Sequence, residues 1–280
     1  MRWRHLKNGA VQVSAAHIHS GADAHLIGTS IHDAHVGVHV ATGATARVHK
    51  CDVLATRNSC VVARGGATCH VSDCKLAGSL KAHGLEAEGA GSHIEASNSR
   101  LLNNAETGAY ATSGATFVAD ACSTEGNRFS ACTVKEGATM ALTRCAHTRD
   151  TRGWMAGAKG KLTVHNGIVS YCAEEGSVLW DQATAKLVDC TITRCGAQGI
   201  RAHKGASVDM EGCLVSYTQK GCVWLDDAQG NLARCKVERS QEKHGVAVCG
   251  ESAQFVAEDC QVQNHNQNGV FAWNRAQVCS

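Results

Sequence analysis

From Gly199 to Gly221 the chain reads GIRAHKGASVDMEGCLVSYTQKG. Apolar and polar positions alternate in three short bursts, Ile200/Ala202, Val208/Met210 and Cys213/Val215. No burst is long enough for a helix, and alternation sends every second side chain of a strand to one face. The fragment therefore predicts three very short strands joined by bends. The pattern recurs from end to end. Aligned on Cys213, the equivalent positions are Thr29, Cys51, Cys74, Ser97, Cys122, Cys145, Gly167, Cys190, Cys213, Cys235 and Cys260, in steps of 22 to 25 residues. Two residues after most of them stands an apolar residue, such as Ile31, Val53, Leu76, Val169 or Ile192. Three residues before stands another, such as Leu26, Val48, Ile94 or Met210. Gly-Ala pairs recur eight residues upstream, and a second glycine opens the third burst: Gly176, Gly199, Gly221, Gly245, Gly269.

A sustained period in the twenties means a solenoid. A leucine-rich repeat would need a leucine stripe and a helical segment, and the chain shows neither. Three alternating bursts per period describe a coil whose strands pair in parallel with those of the next coil. The expectation is an all-β, right-handed, single-stranded parallel β-helix of about eleven coils of 22–25 residues, with three short strands per coil and residues 1–280 as one domain. The outward charges agree with this register. Lys50/Asp73, Asp52/Lys75 and Lys186/Asp209 fall on equivalent sites of adjacent coils, where opposite charges are favourable.

The repeat resembles that of the pectin-lyase-like superfamily. It is most similar to the carbohydrate-binding and sugar-hydrolase type of β-helix domain shared by some F-box proteins, periplasmic metal-maturation proteins and mannuronan epimerases. The resemblance runs from about Gly9 to Cys279. It implies the fold and leaves the activity open, because this scaffold hosts many functions.

Composition narrows the picture. Aromatics make up 4% of the chain and proline is absent, so the core must be built from Ala, Val, Cys, Leu and Ile. A net charge of +2 gives no electrostatic case for nucleic acid. No apolar run is long enough to cross a membrane as a helix, and no secretory signal is visible. Of the 16 cysteines, eight form one inward column spaced by whole coils, where free thiols act as small apolar fillers. Cys60, Cys132 and Cys222 are expected at a second inward position, Cys172 and Cys195 at a bend, and Cys249 outward as the most reactive thiol. Free thiols fit an intracellular, reducing compartment.

Candidate chemistry is sparse. The resemblance implies catalytic sets on adjacent coils, and none is complete. Asp226-Asp227 and Lys243-His244-Gly245 are fragments of the polygalacturonase pattern, and the epimerase Asp-Pro-His-Asp motif cannot exist without proline. No catalytic residue and no cofactor is assigned. Eight of 16 histidines lie in the first 49 residues. His17 and His39 stack, and His25, Arg47, His70 and His93 form an outward column. Three or four ligands would be needed for a metal, so no metal site is assigned. The third burst is more informative. Counted from its glycine, the outward pairs of the last five coils are Val178/Trp180, Arg201/His203, Val223/Leu225, Ala247/Cys249 and Phe271/Trp273. The binding residues are therefore read as Val178, Trp180, Arg201, His203, Val223, Leu225, Phe271 and Trp273. An apolar-aromatic stripe of this kind marks a contact surface. The chain starts and stops within a coil, so it is expected to be a piece of a longer chain or capped by partners. The first reading is a non-catalytic scaffold that docks a protein through the stripe and its open ends. The alternative is a protein that binds or processes a polysaccharide on the same face.

Overall fold

Cys51 and Cys74 lie one above the other inside the molecule, with the Cys51 N–H donating to the Cys74 sulfur at 3.4 Å and the Cys74 N–H to the Ser99 hydroxyl at 3.1 Å. This stacking repeats along a parallel β-helix, seen in a computed structural model that describes residues 14–279. The first residues of the chain, Gly9 among them, lie outside the described residues. Strand β1 (Ser14–Ile18) opens sheet 1, β2 (Asp23–Ile27) opens sheet 2 and β3 (Ser30–His32) opens sheet 3. Each sheet takes every third strand thereafter, giving 12, 12 and 11 strands. The described residues thus complete about twelve turns, close to the eleven expected.

The period-2 pattern explains the core. Inward residues such as Val38, Val53, Leu76, Leu187 and Val215 are at most 1% exposed. Small side chains suit a narrow interior, and the few large ones, Trp154, Phe117 and Phe255, are also enclosed. The sharp corners need left-handed backbone. One such residue ends each sheet 3 strand: Asp33, Ala55, Gly78, Asn103, Gly126, Arg149, Tyr171, Arg194, Tyr217, Arg239 and Asn264 all have φ between +52° and +70°. Another follows sheet 2, including Lys50, Asp73, Asn98, Arg144 and Asp189. Asn, Asp and Gly suit this conformation, whereas a bulky residue there is an outlier.

The bend from sheet 3 to sheet 1 is lined inside by a polar ladder. The Ser79 N–H donates to Asn104 Oδ1 at 3.1 Å, the Asn104 N–H to Asn127 Oδ1 at 3.0 Å, and the Asn127 N–H to Asp150 Oδ1 at 2.8 Å. Each of these side-chain oxygens, two from carboxamides and one from the Asp150 carboxyl, thus satisfies a backbone donor that the turn would otherwise bury unpaired. Cys172, Cys195 and Thr218 continue the column as buried small residues.

Three expectations of register need correction. Ser99, not Ser97, belongs to the cysteine column, since Arg100 pairs with Lys75. Ile94 pairs with Cys69 and Phe117, which is a different inward column. Glu95, not His93, follows His70 in the outward histidine column. All three are one slip. The fourth coil carries an extra residue in the bend before Gly84 and another in the turn between Glu88 and His93, so the offset grows from 23 at Ala77 to 25 at His93. A constant step cannot see an insertion confined to a turn. Cys60 and Cys222 occupy the column that holds Gly37, Gly84 and Gly199 elsewhere, while Cys132 sits one position further along, opposite Trp154.

Candidate functional site

Each sheet 1 strand offers two outward positions, and pairing stacks them into two columns along the helix axis. The first runs Glu86, Tyr110, Thr133, Met155, Val178, Arg201, Trp224, Ala247, Phe271. The second includes Arg64, Glu88, Lys135, Gly157, Asp226, Cys249 and Trp273.

The C-terminal coils carry aromatic rings. Trp224 meets Trp273 edge to face at 5.6 Å, Trp273 meets Phe271 at 5.1 Å, and Phe271 stacks on His244 at 4.5 Å. Phe271 is 38% exposed, so the cluster presents ring surface to solvent. Burial, helped by Lys243, pulls the His244 imidazole below its usual pKa, which keeps it neutral against the ring. Trp180, two coils before Trp224, covers the backbone of the coil that precedes its own. A Cβ added at Gly157 would stand 2.0 Å from its indole carbon Cε2, so only glycine fits beneath it. Between the two aromatic zones stands a charged group. Arg201 lies 3.8 Å from buried Glu175, which also receives Arg152 at 3.1 Å. His203, next to Arg201 and Lys204, is held below its usual pKa by burial and then by those two charges.

The upstream coils hold a second constellation. Arg64 bridges Glu86 and Glu88, each at 2.6 Å, and the Ser59 hydroxyl donates to Glu86. Burial alone would raise the Glu86 carboxyl, but Ser59 and Arg64 outweigh it and hold it below the usual range. His83 stacks on Tyr110 with centroids 4.2 Å apart and planes 11° from parallel. Its Nδ1 accepts the Thr107 N–H at 3.4 Å, which places the neutral ring's hydrogen on Nε2, 3.5 Å from Glu106. Burial drives His83 down to about 4. Lys135 completes the group 5.4 Å from the Tyr110 centroid, with its ammonium favoured first by the Tyr110 hydroxyl. Glu86 is therefore an ionised acceptor. It is not a proton donor of the kind that glycoside hydrolysis requires.

Six of the eight expected binding residues lie on this face: Val178, Trp180, Arg201, His203, Phe271 and Trp273. Val178 is packed down to 8% exposed. Val223 and Leu225 are not on it. They pair with the inward residues Ile200 and Ala202 and are 1% and 0% exposed. Cys222, rather than Gly221, occupies the glycine column of that coil, so the true outward residues are Trp224 and Asp226. Counting from the wrong glycine hid Trp224, and with it the partner of Trp273. The upstream constellation was passed over because its residue types look ordinary when read pairwise. Only the stacking of His83, Glu86, Tyr110 and Lys135 across coils brings them together.

Other faces offer less. A shallow concavity on sheet 2 lies among Lys186, Asp209, Glu211, Asn231 and Glu258. Asn231 already donates to Asp209, Arg234 already pairs with Glu211, and no aromatic residue lines it. His17 and His39 meet Nδ1 to Nδ1 at 3.1 Å. Among the described residues no group of three or more His, Cys, Asp or Glu is placed to hold a metal ion. Cys249 does point outward, but burial raises its thiol above the usual range.

The family model for a right handed beta helix region matches residues 7–146, 36–207 and 150–279. No curated protein matches the chain. Among solved structures, the chain is similar to the periplasmic alginate epimerase AlgG, with a TM-score of 0.53 and 8% identity over 90% of this chain and 76% of that one. A point mutant of that epimerase gives a TM-score of 0.55, also at 8% identity, over 91% and 73%. The Streptococcus pneumoniae surface protein and adhesin PfbA aligns over 90% of this chain and 89% of its own, at 8% identity and a TM-score of 0.30.

Proposed function

The chain belongs to the right-handed β-helix family, and we propose that it binds a polysaccharide laid along the outer face of sheet 1. The observation that carries this reading is the solvent-facing ring cluster Trp224, His244, Phe271 and Trp273, in line with hydrogen-bonding and charged groups on the same face. Ring faces pack against the apolar faces of sugars, and side chains such as Arg201, His203 and Lys135 supply hydrogen-bond partners for hydroxyls or uronate carboxylates. The coil repeat presents such groups at regular intervals along the axis, which suits a polymer. The fold likeness to an alginate epimerase is compatible with this class of ligand and says nothing of the reaction. A flat protein-docking stripe fits less well, because Val223 and Leu225 are core residues and Val178 and Ala247 are 8% and 2% exposed. With 13 of the 16 cysteines buried and all free, a reducing compartment remains our reading of where the protein works.

Affinity electrophoresis against a panel of neutral and acidic polysaccharides tests the proposal. At least one should retard the wild type, and Trp224→Ala and Trp273→Ala should each weaken that retardation by about tenfold. Binding unchanged in both variants, or none across the panel, would reject this face as a sugar site.

A further inference from the structure

A different corner of the helix carries a column of alternating rings and cations. Tyr171, Arg194, Tyr217 and Arg239 occupy successive coils at the left-handed corner after sheet 3, with φ of +56°, +56°, +55° and +60°. Most other coils place Asp, Gly, Asn or Ala at this corner, and Arg149 is the one exception. Tyrosine in a left-handed conformation is an outlier, and such outliers persist where something else demands them. The Arg194 guanidinium lies 5.3 Å from the Tyr171 centroid and 5.4 Å from that of Tyr217, and Arg239 covers Tyr217 at 5.1 Å. Tyr171 is 54% and Tyr217 37% exposed, and both arginines are exposed. One coil earlier, Arg149 at the same corner is paired with Glu125, and beside the column Lys236 takes Glu238. Among the described residues Arg194 and Arg239 have no carboxylate within ion-pair distance. Their planes are held by the rings, and their N–H forks are free for an anion.

We propose that this column is a docking site for an acidic peptide segment in polyproline II conformation. The spacing supports this occupant. Arg194 and Arg239 are two coils apart, about 9.6 Å at the strand spacing of a sheet. A polyproline II chain has three residues per turn, so residues i and i+3 share a face about 9.3 Å apart. An extended β-strand instead repeats on one face every second residue, about 6.7 Å apart. Carboxylates at i and i+3 of a polyproline II segment would meet the two guanidiniums in step. The backbone carbonyls of that segment are unpaired and can accept from the hydroxyl of the exposed Tyr217. Nucleobase stacking is disfavoured, because both faces of Tyr217 are already covered by guanidinium. The site lies off sheet 1 and stands independently of the glycan reading.

Fluorescence anisotropy of the full chain with labelled acetyl-(Glu-Pro-Pro)4-amide tests the proposal. Its control is a peptide of the same composition with its four glutamates in one block. The repeating peptide should bind at least tenfold more tightly than the block control. Arg194→Gln with Arg239→Gln should weaken it at least tenfold, while Trp224→Ala leaves it unchanged. Arg194→Lys, which keeps the charge but loses the planar fork, should also weaken it, with far-ultraviolet circular dichroism confirming that each variant folds. The proposal is overturned by any of three results: no binding of the repeating peptide, equal binding of the block control, or a tetragalacturonate oligomer that displaces the peptide and binds more tightly.

Discussion

Thr124 donates its hydroxyl hydrogen to Asp150 Oδ2 at 2.5 Å in the interior of the helix. The Thr124 hydroxyl oxygen also lies 2.9 Å from His147 Nδ1. Because Thr124 gives its one proton to Asp150, His147 must donate from Nδ1, and its Nε2 is left buried without a partner. Both residues stand where the sequence pattern calls for apolar ones, since Thr124 and His147 lie between Leu101 and Val169 in an inward column. Burial pushes the Asp150 carboxyl up to about 6 and the His147 imidazole down to about 3.

The two shifts act oppositely on stability. An acid whose folded pKa lies above its unfolded value of roughly 3.9 binds protons preferentially in the native state, so its contribution falls as pH rises through the window up to about 6. A histidine whose folded pKa is depressed contributes stability that rises with pH from about 3 to its unfolded value near 6.5. Asp150→Asn removes the first effect and keeps the ladder, since the new amide can donate to Thr124, which then donates to His147. It should stabilise the protein at pH 7.5 by up to roughly 3 kcal/mol, the worth of about two pKa units. The gain should shrink as pH falls below 6 and vanish near 4. Urea unfolding at several pH values checks this; a gain independent of pH would show that Asp150 is not the strained group.

Gly157→Ala should cost about 1–3 kcal/mol, the usual range for overpacking, because the new methyl would occupy the position of the Trp180 indole. In a Trp180→Ala background the same change should cost much less. A double-mutant cycle on thermal unfolding reads the coupling. Equal costs in both backgrounds would mean that Trp180 does not rest on Gly157.

How far the sequence discloses this molecule depends on which positions are tied to the repeat. The thiol column was legible because an inward site one coil from its neighbour tolerates only small side chains, and eight cysteines kept that rhythm. The slip at Ser97, Ile94 and His93 arose where turns absorbed two extra residues without disturbing any strand. The slip at Val223 and Leu225 arose because Cys222 replaced a glycine on which the count depended. The polar interior at Thr124, His147 and Asp150 was illegible for a different reason: hydrogen bonds between coils make polar residues compatible with an apolar column, and only stacking reveals those partners. The same holds for the candidate site, where Trp273 was visible alone and its contact with Trp224 was not.

Labelling of native protein with a thiol reagent should proceed at once at Cys279, more slowly at Cys249 and Cys260, and not at the 13 buried thiols. In denaturant all 16 should react without prior reduction. A native count far above three would contradict the inward column, and a denatured count below 16 would reveal bridges.

Glu86→Gln probes the upstream constellation. The neutral amide can still accept from Ser59, but Arg64 then keeps only Glu88 as an ionic partner. Because Glu86 is 8% exposed while Arg64 is half exposed, the loss should be modest, about 1–2 kcal/mol at pH 7. The folded pKa of Glu86 is depressed, so its contribution is complete above the unfolded value near 4.3 and is lost as pH falls through the folded one. The variant and the wild type should therefore differ in urea midpoint at pH 7 and converge at the acid end. If the gap persisted unchanged to the acid end of the titration, the ionised carboxylate would not be what Arg64 and Ser59 hold in place.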